Sequence, residues 1–578
     1  MKIETIRHSL SHIMATVVQE FYPGTKFGIG PAIENGFYYD FDLKMSLAPS
    51  DLQRIEKKMR EIIKQNLEFR IKNLEVKEAE EMFKNQPYKL ELIKDLEESG
   101  AKEVSTYQVG DFLDLCKGPH VKSTKEISID SFKLVKIAGA YWRGSEKNKM
   151  LTRIYGLAFK TKKELEDYLK FQEEAEKRDH RTLGRVLELF SISEEIGPGL
   201  ILWHPRGAII REIVENFWKA EHKKRGYQYV YSPHIGKLDL WKKSGHWEFY
   251  RESLYSPIEI EGVQYLLKPM NCPFHLQVYK SKIRSYKDLP IKYCELGTVY
   301  RFEKAGTLHG LLRVRGFTQD DAHIFCSPDQ INKEVEGVLD LACFMLNTFG
   351  FSNFEVELSV RDPKNKIKYL GSDKIWKKAE NALEYSLKQK GLKYRRAEGE
   401  AVFYGPKIDI KLIDALGRGW QGLTIQVDFN LPEKFDLNYI DERGRKERVV
   451  MIHHAVLGSI ERFIGNLLEH YAGALPLWLS PIQIWIIPIG SEHRKYANFV
   501  NEQLTTNNLR TQLRDERETV SKKIRGGEIQ KIPYLLVVGD KEMKSKSVRV
   551  RERGKGDVGE MKLNKFFKKV ILEIEKKK

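Results

Sequence analysis

The chain has 578 residues, with 98 Lys and Arg against 81 Asp and Glu and a formal net charge of +17. That length holds three or four domains; the 41% hydrophobic content supplies real cores, and the basic balance suits a polyanionic partner. There is no apolar run of about 18 residues and no signal-like N-terminus, which excludes a helical membrane span; with five scattered cysteines this points to a soluble, cytoplasmic protein.

From the N-terminus, HSLSH puts His8 and His12 four residues apart on one face of an expected helix. GIGPAIENGFYYDFD, residues 28 to 42, supplies Tyr38 and Tyr39 as core aromatics, and PYKLELI carries Lys89. DLCKGPH carries Asp114 and repeats the four-residue spacing with Cys116 and His120, but Gly118-Pro119 argues for a loop there. His8, His12, Cys116 and His120 together could form a tetrahedral zinc site. Residues 160 to 190 read as one charged helix joining two domains. IIREIVENFWKAEHKKR is a long amphipathic stretch, and GYQYVYSP, residues 226 to 233, ends a strand at Pro233.

LKPMNCPFH then supplies Cys272. In the segment 293 to 326, Arg301 and Glu303 stand two apart on a strand and so face one side. A flexible basic loop with Lys304, Gly306 and His309 follows, and Arg313 and Arg315 open a second strand that ends in RVRGFTQDDAHIFC, with His323. VMIHHAVLGSIERF supplies His453, and GSIERFIG puts Glu461 and Arg462 on a helix. The C-terminal hundred residues read as a separate α/β unit. Its strands are IQIWIIPIG, LRTQLRD, PYLLVVGD and KSVRVRER, with a helix through Tyr496 to Leu504.

One thiolate and two imidazoles, Cys272, His323 and His453, make a three-ligand zinc set with an open fourth position, the catalytic or substrate-binding type. An arginine grips phosphate with a planar fork of donors. No Walker-type phosphate loop and no dinucleotide fingerprint is present; Arg301 and Arg462 are candidate phosphate ligands, and the alternative for residues 293 to 326 is a solvated charged hairpin.

A strand ending in proline, a strand reading Arg-x-Glu, and a strand and helix ending in arginine resemble, in order, the three motifs of class II aminoacyl-tRNA synthetases. RVRGFTQDDAHIF, FYGPKIDI, WQGLTIQVDFNLP and MIHHAVLGSIERF together resemble threonyl-tRNA synthetases, across essentially the whole chain. The resemblance implies an antiparallel-sheet catalytic domain at 189–480. An α+β editing domain at 1–160, a helical linker at 161–188 and an α/β anticodon-binding domain at 481–578 complete the expected α+β and α/β architecture. It implies ATP-dependent ligation of L-threonine to tRNA(Thr) through an adenylate. Arg301 and Arg462 are then catalytic, and Arg301, Glu303, Arg313, Phe317, Gln421, Thr424 and Arg462 bind ATP with Mg2+. Gln319, Asp321, Tyr404 and Gln426 bind threonine, and Cys272, His323 and His453 bind one zinc.

His8, His12, Lys89, Asp114, Cys116 and His120 fall on the metal-free editing core that threonyl and alanyl enzymes share. Glu542 and Arg551 fall on anticodon-reading positions. Motif 1 implies a homodimer. A ubiquitin-like domain that many bacterial members carry before the editing domain is expected to be absent, because His8 comes so early.

The two hydrolytic and synthetic halves explain each other. An apolar pocket separates threonine from isosteric valine by only about a hundredfold, whereas a metal reading the hydroxyl rejects valine. Serine keeps the hydroxyl and lacks one methyl, worth about 1 to 3 kcal/mol, so a second hydrolytic site is required. Rival readings are a catalytically dead RNA-binding paralogue and a synthetase for serine, proline or alanine. The intact arginines and zinc set disfavour the first, and the zinc set with the editing core disfavours the second.

Overall fold

The computed structural model describes residues 2–413, 417 and 419–577, apart from the side chain of Gln421. The chain falls into two compact units, Met1–Glu174 and Ala175–Lys578.

In the first unit the helix Ile3–Phe21 buries Ile6, Leu10, Ile13, Met14 and Val17. That is the three-and-four spacing of a core-facing stripe. It packs with the amphipathic helix Pro49–Lys64 on an antiparallel sheet in which Gly36–Asp42 and Phe132–Tyr141 flank Met150–Ala158. A second, three-stranded antiparallel sheet runs Arg70–Glu75, Glu103–Val109, Phe112–Leu115.

The second unit is built on an eight-stranded sheet. Its order is Gln228–Tyr229, Ile291–Tyr300, Gly316–Cys326, Val450–Ser459, Gly419–Asp428, Lys407–Ile413, Phe354–Val360, Tyr394–Glu398. Only the two outermost pairings are parallel. The helices Pro205–Lys224, Ile331–Thr348, Asp373–Gln389 and Ile460–His470 share one hydrophobic core with alternate residues of these strands. The C-terminal part carries a five-stranded mixed sheet: Thr511–Leu513, Ile484–Pro488 and Tyr534–Val538 are parallel, and Ser547–Glu552 and Gly556–Lys562 return antiparallel. Two hydrophobic clusters built on Ile484–Pro488 and Tyr534–Val538 form its core. No helix among the described residues is long and apolar enough to cross a membrane.

Four local expectations are corrected. Arg301 and Glu303 lie beyond the strand, which ends at Tyr300. The stretch 160–190 is two helices, Lys162–Arg178 and His180–Val186, because Asp179 leaves helical geometry and its carboxylate caps the second helix through Arg181 N–H. Arg313 and Arg315 precede their strand, which begins at Gly316; Arg315 N–H is taken instead by Gly199 O at 2.7 Å. In GYQYVYSP only Gln228–Tyr229 pairs as strand.

Candidate active site

Strand alternation builds the site. Along Gly316–Cys326, Phe317, Gln319, Asp321 and His323 fall on one face and line a cavity of about 380 Å3. Ala322 and Ile324, between and beyond them, belong to the hydrophobic core. Register then sets the neighbours: His453 stands opposite His323 on one side and Gln426 on the other. Thr424, Gln426, Tyr404, Cys272, Arg301, Glu303 and Arg462 line the same cavity. Arg313 stands outside the lining and pairs with Glu303 at 2.8 Å. The side chain of Gln421 lies outside the described residues.

At one end stand the arginines. Arg301 donates from Nε to Pro269 O at 3.1 Å and from Nη2 to Gln319 Oε1 at 3.3 Å, with its guanidinium 5.2 Å from the centre of the Phe317 ring. Arg462 sits in the first turn of Ile460–His470, where Ser459 Oγ caps its N–H, and donates from Nε to Leu312 O at 3.1 Å. Burial lowers the Arg462 pKa, and the positive charges of Arg301 and Arg313 lower it further. Three guanidiniums held this close repel one another, and a polyanion such as a triphosphate relieves them.

At the other end stand Cys272, His323 and His453. Cys272 opens the helix Cys272–Lys280, with Sγ 3.9 Å from His246 Nε2. Burial pushes its thiol pKa up, and the carboxylates Asp321 and Asp428 push the same way; a bound cation reverses that logic. His453 Nε2 lies 3.0 Å from Asp428 Oδ2, and His323 Nδ1 lies 2.7 Å from His275 Nδ1. Each imidazole therefore has one nitrogen engaged and one left for a ligand. A thiol and two such imidazoles fit zinc by donor chemistry. The three donor atoms are not all within 4.8 Å of one another. Beside them Asp321 accepts from Asn271 Nδ2 at 2.7 Å, and Tyr404 Oη donates to Gln426 Oε1 at 2.6 Å.

In the N-terminal unit, donor atoms of His8, His12, Cys116 and His120 do all lie within 4.8 Å of one another. Cys116 Sγ is 3.3 Å from His8 Nε2 and 3.2 Å from His120 Nε2. Ser9 Oγ–H donates to Thr5 O and accepts from Val121 N–H. Its remaining lone pair takes His120 Nδ1–H at 3.1 Å, which leaves His120 Nε2 bare toward the thiol. Burial lowers the pKa values of all three histidines and pushes the Cys116 thiol up to about 11. At neutral pH the cluster holds three neutral imidazoles and a thiol, not a thiolate nucleophile. Behind it Lys89 and Asp114 form a buried ion pair, and Tyr39 Oη donates to Asp114 Oδ2 at 2.5 Å, so Tyr39 does more than fill the core. The loop needs Gly118: its φ is +67°, and a Cβ there would stand 2.5 Å from Tyr107 Oη.

In the C-terminal sheet Arg551 is half-buried, 3.6 Å from Glu528. Glu542 is buried, and its Oε2 accepts Gly539 N–H at 3.0 Å, capping the helix Asp540–Ser545.

Several residues with work to do here carry no signal in sequence. His246, Asn271 and His275 matter through neighbours distant along the chain. Buried Asp320 accepts Trp218 Nε1–H and the N–H groups of Val456, Leu457 and Gly458, holding the irregular end of the strand that leads to Arg462; burial raises its pKa to about 7 against those donors. Glu461 accepts Thr318 N–H at 2.9 Å and Arg211 Nη1–H at 3.0 Å. Asp428 alone was reachable, since Thr424, Gln426 and Asp428 continue one alternating face.

Residues 255–471 match the family model described as the tRNA synthetase class II core domain (G, H, P, S and T). Residues 483–573 match the anticodon binding domain, and 104–155 the threonyl and alanyl tRNA synthetase second additional domain. The chain is 54% identical over 551 residues to a threonine–tRNA ligase of Dehalococcoides mccartyi (strain CBDB1), covering 95% of this chain and 93% of that one. It is 53% identical over 573 residues to a threonine–tRNA ligase of Sulfurihydrogenibium sp. (strain YO3AOP1), covering 98% and 88%. The crystal structure of the RNA binding domain of threonyl-tRNA synthetase from Cryptosporidium parvum Iowa II superposes with a TM-score of 0.65 at 39% identity, covering 68% of this chain and 98% of that one. With this identity sustained over nearly its whole length, the chain belongs to the threonine–tRNA ligase family of class II synthetases.

Proposed function

We propose that the chain activates L-threonine with ATP, transfers it to tRNA(Thr), and hydrolyses mischarged seryl-tRNA(Thr) at its N-terminal cluster. One observation carries the first part: the arginine pair Arg301 and Arg462 and a Cys–His–His set line one cavity. The threonine carboxylate attacks the α-phosphorus, and charge grows on phosphate oxygens, so positioning and electrostatics supply the catalysis. Arg301 holds the α-phosphate and Arg462 the γ-phosphate; Mg2+ carried in with ATP would further neutralise the phosphate charge. Phe317 stacks on adenine, and Glu303, Arg313, Gln421 and Thr424 fix the nucleotide. Gln319, Asp321, Tyr404 and Gln426 hold the amino acid. Zinc held by Cys272, His323 and His453 supplies an open Lewis-acid position that recognises an amino group beside a hydroxyl.

In the editing pocket the neutral histidines position water at the ester bond, and the protonated Cys116 argues against covalent catalysis. Lys89 and Asp114 brace that pocket, which is metal-free in this reading. Arg551 and Glu542 read the anticodon. The division into 1–160, 161–188, 189–480 and 481–578, a homodimer joined through the segment ending at Pro233, and a cytoplasmic location complete the reading.

Pyrophosphate exchange with single amino acids tests it. Threonine should support exchange strongly, serine measurably and valine hardly at all. Equal exchange with valine and threonine would remove the hydroxyl-reading site.

A further inference from the structure

Behind His323 lies a buried chain of hydrogen bonds. Glu295 and His275 are 4% and 0% exposed. Ser232 donates to Glu295 from its N–H at 2.9 Å and from its hydroxyl at 2.8 Å. His275, one turn after Cys272 on the same helix, places Nε2 at 3.1 Å from Glu295 Oε2 and Nδ1 at 2.7 Å from His323 Nδ1.

The proton count along this chain has one solution for neutral rings. An ionised carboxylate only accepts, so His275 Nε2 carries the hydrogen and His275 Nδ1 is bare. His323 Nδ1 must then carry the hydrogen that bridges the two rings, and His323 Nε2 is bare. Asp428 does the same for His453: its Oδ2 accepts Nε2–H at 3.0 Å and its Oδ1 is held by the N–H groups of Asn430 and Leu431, which leaves His453 Nδ1 bare.

We propose that His275 and Glu295 are positioning residues that lock His323 in the tautomer able to ligate metal. The proposal rests on the reading that Cys272, His323 and His453 bind zinc. Partners behind metal-bound histidines fix the tautomer and ring orientation, and their loss costs about 10- to 100-fold in metal affinity. The relay also ties the metal set to Ser232, next to Pro233.

The test uses the full chain as purified, comparing wild type, His275→Leu, His275→Gln and Glu295→Met. Zinc content is measured, then the rate of zinc release to a chromophoric chelator, then the visible spectrum after cobalt substitution. Glutamine can accept from His323 and donate to Glu295, so His275→Gln should release zinc close to the wild-type rate. His275→Leu should release it about 10- to 100-fold faster and show an altered cobalt spectrum. Wild-type release and spectrum in His275→Leu would overturn the proposal while leaving the zinc reading intact. Wild type free of zinc would overturn both. If His275→Leu fails to fold, Glu295→Met, which removes the acceptor for His275 Nε2–H at similar side-chain volume, decides by the same readouts: faster release supports the relay, and wild-type release ends it.

Discussion

Removing the Arg301 side chain is the sharpest perturbation of the synthetic site. Of the five N–H donors of a guanidinium, one goes to Pro269 O and one to Gln319 Oε1. The other three are left for phosphate oxygens. Losing one preorganised donor aimed at developing charge costs about 2.7 to 4 kcal/mol, or about 10²- to 10³-fold in rate. Arg301→Ala should therefore lower threonine-dependent pyrophosphate exchange by at least about a hundredfold. Arg301→Lys should recover little of it, because an ammonium lacks the planar fork that spans the Pro269 anchor and a phosphate together. The assay is exchange at saturating ATP and threonine, beside thermal unfolding. Near-normal exchange in Arg301→Ala would take this residue out of the chemistry, and a rate loss tracking a fall in melting temperature would reassign it to structure.

Replacing His8 and His12 together with Ala should leave threonylation unchanged while deacylation of preformed seryl-tRNA falls sharply; equal hydrolysis by both proteins would make the cluster a closed metal site. Arg551→Ala should weaken tRNA aminoacylation and leave tRNA-independent exchange intact. Glu542→Ala should also cost about 1 kcal/mol of stability, because it removes a helix cap, so loss of exchange in Arg551→Ala would be the outcome that argues against a recognition role. Burial lowers the His222 pKa to about 4, with Arg225 adding to the effect against a bond to Trp218 O. Since the folded value is depressed, the unfolded chain binds the extra proton first, and this contribution is whole above pH 6.5 and lost as pH falls toward about 4. Urea midpoints should drop across that window, less steeply in His222→Gln; a matching slope in both would remove His222 as the cause.

The sequence made the strand face legible because its period is simple. Phe317, Gln319, Asp321 and His323 are spaced by two, and only one strand register puts all four on a single face. His8 and His12 were equally readable from helical spacing. What stayed hidden depends on contacts between elements far apart in the chain. The Glu295–His275–His323 relay joins a strand, a helix and a second strand, and neither His275 nor Glu295 has a motif of its own. The break at Asp179 was missed because charged helical composition runs straight through it, whereas the cap that ends the run is a local bond to Arg181 N–H. Nor does charge pattern announce that Glu542 turns inward to cap its own helix.

The central claim is that threonine is chosen through a metal held by Cys272, His323 and His453. Metal content and threonine-dependent exchange measured on one preparation test it most directly. About one zinc per chain, exchange lost on chelation and restored by zinc, and Cys272→Ser folded but empty and inactive are the expected results. A zinc-free preparation that activates threonine at full rate would contradict the account.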